Sequence, residues 1–277
     1  MAGRPLRLVA PASCASLAEF ISYFDDAIEV LQTEANLERC ARELCEDCAA
    51  EGVDYLEVRW APRLHLEQGL DLGQVIAAVV TGLESSPIEA VAIVCAMRQH
   101  SPEENLELAR VAGSFAGRGV VGFDLAGDER RYPNDGSMRD AFAAARSTGL
   151  RLTCHAGEAA GPASVAAALD HYRVERIAHG VSAAASPELV KRLRDEGVVL
   201  DLCPTANWRC GAVPELRLHP LPELLAAGVR CTISTDSRTV ADTTLSEEFG
   251  IAHDLLGLDD DTLLRCNLTA YEARFGS

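Results

Sequence analysis

The run His155-Ala156-Gly157-Glu158 directly follows an apolar stretch, Leu150–Cys154. An imidazole at a strand end can bind a metal through one ring nitrogen. A carboxylate three residues on, past a glycine, can turn back toward the same site as a general acid or base. Alone, the tetrapeptide is ordinary loop composition, and loop bracing would explain it as well. Its context adds weight. Arg176-Ile177-Ala178-His179-Gly180 sets a second histidine at the end of the next β-rich run, and Ser234-Thr235-Asp236 sets a carboxylate at the end of another. Histidine, glutamate, histidine and aspartate at the ends of neighbouring strands form a constellation suited to metal-assisted hydrolysis.

These residues need a scaffold that brings strand ends together. From about residue 54 the chain alternates β-rich runs with amphipathic segments. The runs are Tyr55–Trp60, Ala90–Met97, Gly119–Ala126, Leu150–His155, Arg176–His179, Val198–Cys203 and Val229–Thr235. Helical spacing fills Leu72–Leu83, Pro102–Phe115, Met138–Thr148 and Pro187–Glu196. Such alternation indicates parallel βαβ units. A doubly wound sheet and a barrel both fit it. No Gly-rich dinucleotide fingerprint opens a helix, and the chemistry-bearing residues sit at the C-terminal ends of several strands, which favours the α/β barrel of TIM type. A complete (β/α)8 barrel wants eight strands, and about seven are legible. Ser16–Leu31 opens with a capping box, Ser16 and Glu19, and reads as a helix. Leu6–Ala10 is a candidate short strand. No linker, repeat or low-complexity tract divides the chain, so residues 1–277 read as one barrel domain.

Composition narrows the function. With 25 basic and 42 acidic residues the net charge is −17, which disfavours a nucleic acid partner. No window approaches the roughly 18 apolar residues of a membrane helix, and Met1–Ser16 has no convincing signal-peptide core, so the expected compartment is the cytoplasm. The ten cysteines include a C-x-x-C at Cys45 and Cys48. Leu37, Cys40, Ala41, Leu44, Cys45 and Cys48 follow helical spacing, so reduced thiols on an apolar helix face are the better reading. A cytidine-type deaminase would need a P-C-x-x-C after its H-x-E, and none exists.

Six segments, in order, resemble the motifs of the adenosine deaminase family: Tyr55–Pro62 (YLEVRWAP), Val121–Glu129 (VGFDLAGDE), Thr153–Glu158 (TCHAGE), Arg176–Gly180 (RIAHG), Leu202–Asn207 (LCPTAN) and Ser234–Asp236 (STD). The resemblance runs from roughly Ser16 to the C-terminus and implies a zinc-dependent aminohydrolase acting on a purine nucleoside. It implies zinc ligation by His155 and Asp236. It also implies protonation of the purine N1 by Glu158 as water attacks C6, and orientation and deprotonation of that water by His179. The Gly127 backbone would contact the N3 side of the purine.

The chain also departs from the family pattern. The family's first strand carries a His-x-His that supplies two further zinc ligands; no His-x-His occurs here, and the first histidine is His65. The chain is expected to lack the first βα unit, and its zinc site to be incomplete. Where the family has a second aspartate against the purine N7, the chain has Ser237, followed by Arg238, and Ala178 stands for the usual glycine. Serine can hydrogen-bond there but cannot replace a carboxylate. His65 and His100 are weak candidates for substitute ligands; loop histidines at the rim are the better reading. A barrel short of one strand exposes two edges, which favours self-association, so a homo-oligomer is the one macromolecular partner left open. The expectation is that Leu6–Ala10 or a partner chain closes the gap. The alternative to an enzyme is a repurposed homologue that binds purine nucleosides without zinc.

Overall fold

The computed structural model describes residues 5–276; Met1–Arg4, part of the Met1–Ser16 stretch considered above, and Ser277 lie outside them. The β-rich runs form seven strands: β1 Tyr55–Trp60, β2 Glu89–Met97, β3 Val120–Ala126, β4 Arg151–Ala156, β5 Arg176–His179, β6 Val199–Leu202 and β7 Arg230–Ile233. They make one sheet in sequential order, every neighbouring pair parallel. Helices such as Leu72–Glu84, Pro102–Gly113 and Pro187–Glu196 connect them. Asp71 and Ser101 start the first two of these through reciprocal capping boxes. Their apolar stripes (Val75, Ile76, Val79 and Leu83 in the first, Leu108, Ala109 and Ala112 in the second) are buried in the core between helices and sheet.

The sheet is curled. Arg59 on β1 pairs with Asp201 on β6, and Glu57 on β1 with Arg176 on β5. In a flat sheet β1 and β6 would stand about 24 Å apart, so side chains can meet only if the strands wrap around a common axis. This is a (β/α) barrel of TIM type with seven strands among the described residues.

The gap lies between β7 and β1, and the expectation that Leu6–Ala10 closes it is overturned. That segment is not a strand. The Ala10 N–H donates to Val240 O at 3.0 Å and the Arg7 N–H to Asp26 Oδ2 at 2.6 Å. Pro5 and Pro11 bracket it, and proline cannot donate to a ladder. Instead, side chains join the two edges. Arg238, beyond β7, pairs with Glu51 just before β1, and Glu51 also accepts from the Ser246 N–H at 3.3 Å. The C-terminal tail reaches the other flank: the Phe275 N–H donates to Glu57 Oε1 at 2.5 Å and the Gly276 N–H to the Tyr55 hydroxyl at 2.8 Å.

Ser16–Leu31 is helical but broken into Leu17–Ile21, a 3-10 turn at Ser22–Phe24 and Asp25–Val30. Ser16 caps the Glu19 N–H at 3.2 Å, whereas the Glu19 carboxylate accepts from Ala15 rather than Ser16. The helix Glu34–Ala50 buries Leu37, Ala41, Cys45 and Cys48, while Cys40 is exposed, off the stripe assigned to it above. All ten cysteines are free thiols. Among the described residues no helix is long and apolar enough to cross a membrane.

Candidate active site

The barrel interior is filled by charge rather than by apolar layers. Near the N-terminal ends of the strands, Glu57 pairs with Arg176. Above them Arg59 pairs with Asp201 and lies 3.7 Å from Asp124, while Thr232 donates to Asp201 at 3.0 Å. Asp124, fully buried on β3, stands 2.8 Å from His155 Nδ1 at the end of β4. Burial alone would push the Asp124 carboxyl up, but His155, Arg59 and the Cys95 thiol hold it well below the carboxylate range. The same pairing outweighs desolvation at His155 and raises its imidazole.

His155 and His179 approach to 5.1 Å between ring centroids. Their meeting depends on a backbone detail. In the ladder His155 is opposite Ala178, and His179 is opposite Ala156. Alternation would send the two imidazoles to opposite faces. His179 has φ 68°, a left-handed conformation that ends β5 and turns its ring toward His155. Asp236, beyond β7, has φ 56°. The residue as a whole is exposed, yet desolvation of its carboxyl and the nearby Glu158 raise its pKa, with His179 opposing.

Glu158 lies across from His179, with Oε2 3.8 Å from His179 Nε2 and Oε1 3.1 Å from the Cys210 Sγ. Its side chain is 7% exposed. Desolvation pushes its carboxyl up to about 7, with the Cys210 hydrogen bond and His155 opposing. Desolvation takes His179 down to about 4, against the pull of Asp236. Near neutral pH Glu158 is therefore partly protonated and His179 neutral. Asn207 Nδ2 donates to His179 Nδ1 at 2.9 Å, which leaves the proton of the neutral ring on Nε2, facing Glu158. Asn207 Oδ1 in turn lies 3.1 Å from His219 Nε2.

The loop carrying Glu158 is anchored by Glu129. Its carboxylate accepts from the N–H groups of Gly157 (2.9 Å), Ala159 and Ala160 (2.7 Å) and from the Ser164 hydroxyl (2.5 Å). Burial would push Glu129 up, but these donors keep it ionised, below its ordinary value. Gly157 must be glycine: φ is 74°, and a Cβ there would stand 2.4 Å from Val165 Cγ2. Arg98 braces the same loop, donating to His155 O at 2.6 Å and to Asn134 Oδ1 at 2.7 Å.

Gly127, just past β3, has φ 115°, with the Gln99 side chain 3.0 Å from where a Cβ would sit. Ser237 uses its hydroxyl to cap the turn Arg238–Ala241, accepting from Val240 N at 3.3 Å. His65 is buried with Nδ1 2.7 Å from Leu31 O, and burial lowers its pKa. His100 lies half-buried near Glu104 and Arg63. Neither joins His155 and Asp236. A cavity of about 630 Å³ lies at the opposite end of the strands, lined by Arg151, Arg176 and Arg230. Those arginines are occupied by Glu175, Glu57 and Glu272, so it is a structural cleft and not the site.

His155, Glu158 and His179 thus meet at one strand-end cluster, with Asp236 at its open side. Sequence reasoning assigned no role to Asp124, Glu129 or Asn207, although all three fall in quoted motifs. A lone aspartate in the apolar run Val120–Ala126 was a readable signal, because a buried charge needs a partner. Cys210 and His219 carried no such signal.

The adenosine deaminase family model matches residues 8–277. The chain belongs to the adenosine deaminase family. An adenosine deaminase from Enterococcus faecalis is 37% identical over 246 residues, covering 87% of this chain and 72% of its own length. The structure of an adenine deaminase from Arthrobacter aurescens superposes with TM-score 0.85 at 28% identity, covering 95% of this chain and 81% of that one. The N6-methyl-AMP deaminase of Arabidopsis thaliana also gives TM-score 0.85, at 26% identity and coverages of 95% and 80%. These relatives are named adenosine, adenine and N6-methyl-AMP deaminases, and the chain is an enzyme of the adenosine deaminase type.

The family is zinc-dependent, but the residues described here do not amount to a catalytic zinc site. His155 and Asp236 offer one imidazole and one carboxylate, where such a site has three protein ligands. Among the described residues no group of three His, Cys, Asp or Glu side chains is placed to hold a metal ion.

Proposed function

We propose that the chain deaminates adenosine or a related 6-aminopurine nucleoside hydrolytically, giving the inosine-type product and ammonia. The observation that carries this reading is the Glu158–His179 pair, with opposite pKa displacements and a separation of 3.8 Å. Protonated Glu158 donates to the ring nitrogen N1, which makes C6 a better electrophile. Neutral His179, held by Asn207, orients water at C6 through its Nε2–H. Glu158, ionised once it has protonated N1, takes the water's proton and passes it to the amino group, and ammonia leaves as the tetrahedral carbon collapses. Gly127 offers its backbone to the N3 side, and Ser237 offers a hydroxyl near N7. His155 and Asp236 are proposed as the metal-facing pair. No step is derived through zinc, because these two residues do not complete its coordination.

The chain's acidity and the polar strand-end cluster support a small-molecule substrate. Adenosine, adenine and N6-methylated adenine nucleotides are separated by incubating each with the purified chain, with and without added zinc, and following products chromatographically. Inosine from adenosine supports the nucleoside reading; product from adenine or N6-methyl-AMP alone moves the substrate to that compound. A second reading, a family member that binds purine nucleosides without turning them over, is favoured by the two-residue metal set. It is supported if adenosine binds by calorimetry and no product forms under any condition.

A further inference from the structure

The two oxygens of Glu158 have different neighbours, and the difference has a chemical consequence. Oε2 faces His179 across 3.8 Å, while Oε1 lies 3.1 Å from the Cys210 Sγ. Cys210 follows the short helix Pro204–Arg209 and is 3% exposed, packed with Ala10, Cys14, Leu17, Phe20 and Ala206. The N-terminal segment roofs it: the Cys14 N–H donates to Arg209 O at 2.7 Å, and Arg209 reaches back to Ala10 O. Burial and the neighbouring Glu158 push the Cys210 thiol far up, so it keeps its proton and donates it to the carboxyl. The alternative acceptor, Asn207 O, is more distant at 3.5 Å.

We propose that Cys210 is a positioning residue for Glu158, its S–H donating to Oε1 and thereby placing the acid proton on Oε2, the oxygen on the His179 side. A carboxylic acid has one proton; when one oxygen accepts a hydrogen bond, the other carries the O–H. Without the thiol the proton is shared between the two oxygens, and half of the protonated enzyme presents no donor to the substrate nitrogen. The inference rests on Glu158 being the proton donor. The other groups around Glu158 are His179 on β5, His155 on β4, Glu129 beyond β3, Arg98 beyond β2 and Asp236 beyond β7. None of them donates to Oε1.

The test titrates Glu158 by carboxyl carbon NMR in the full chain, comparing wild type with Cys210→Ala and Cys210→Ser, Glu158→Gln assigning the signal. A thiol hydrogen bond favours the ionised form, so its loss in Cys210→Ala shifts the midpoint up by about 0.7 pH unit. Serine, a donor of similar shape, restores it. A merely space-filling Cys210 leaves the midpoint where it is in both variants, and that result overturns the proposal. Should Cys210→Ala fail to fold, the S–H stretching band of the wild type decides. It moves to lower frequency as Glu158 ionises if the thiol donates to it, and an indifferent band overturns the proposal. Where turnover is measurable, Cys210→Ala lowers kcat severalfold with KM unchanged. If the NMR shift appears and no variant or wild type makes product, the thiol's role stands and the proposed reaction falls.

Discussion

Glu158→Gln separates the acid's electrostatics from its catalysis, because it changes stability with a defined sign. The Glu158 carboxyl is raised from its ordinary 4.5 to about 7, and its side chain is 7% exposed, so solvent screens it little. Below pH 4.5 the group is protonated in both folded and unfolded chains and is neutral to stability. Between 4.5 and 7 the unfolded chain ionises while the folded one does not, so the wild type loses stability at about 1.4 kcal/mol per pH unit. Above 7 both states are ionised and the loss is complete, at about 3 kcal/mol. Glutamine has the same shape, still accepts from Cys210 and does not titrate. Urea unfolding of both proteins at pH 5 and pH 8 therefore shows Glu158→Gln gaining on the wild type by about 2 to 3 kcal/mol at the higher pH. In thermal unfolding this is about 5 °C for a chain of this length. A difference between the two proteins that is the same at both pH values refutes the claim that burial keeps Glu158 protonated near neutrality.

Other expected outcomes follow from the same geometry. Glu129→Ala removes the acceptor of three backbone N–H groups and the Ser164 hydroxyl, and is expected to cost about 3 kcal/mol and free the Glu158 loop, read by urea unfolding and by faster amide exchange at Gly157–Ala160. Asn207→Ala leaves His179 Nδ1 without its donor, so nitrogen NMR shows mixed His179 tautomers and kcat falls about tenfold. Gly127→Ala forces a side chain into φ 115° and costs about 1 kcal/mol or more, together with weaker nucleoside binding by calorimetry.

The strands were legible because short β-rich runs recur between helical patterns, and all seven begin and end within two residues of the sequence reading. The histidines and carboxylates were legible because they break those runs at their ends. Three features were not. Leu6–Ala10 has a strand-like composition, but its backbone is claimed by Asp26 and Val240 on distant segments, a choice that local pattern does not encode. The break in Ser16–Leu31 follows packing over the 204–210 region, where a straight helix would lift Phe20 out of its cluster with Cys203 and Ala206. Cys210 looked like one more buried thiol, and only the placement of Glu158 fifty-two positions earlier in the chain distinguishes it.

The seam between β7 and β1 is held by Arg238–Glu51, whose side chains are mostly buried, and by the backbone of the C-terminal tail on Tyr55 and Glu57.

The most direct test of the Glu158–His179 assignment is the formation of inosine and ammonia from adenosine by the purified chain with zinc supplied, measured beside Glu158→Gln and His179→Ala. Product from the wild type, reduced at least a hundredfold in both variants, is the expected result. Product formed equally by wild type and Glu158→Gln, or adenosine bound without product by all three proteins, would contradict it.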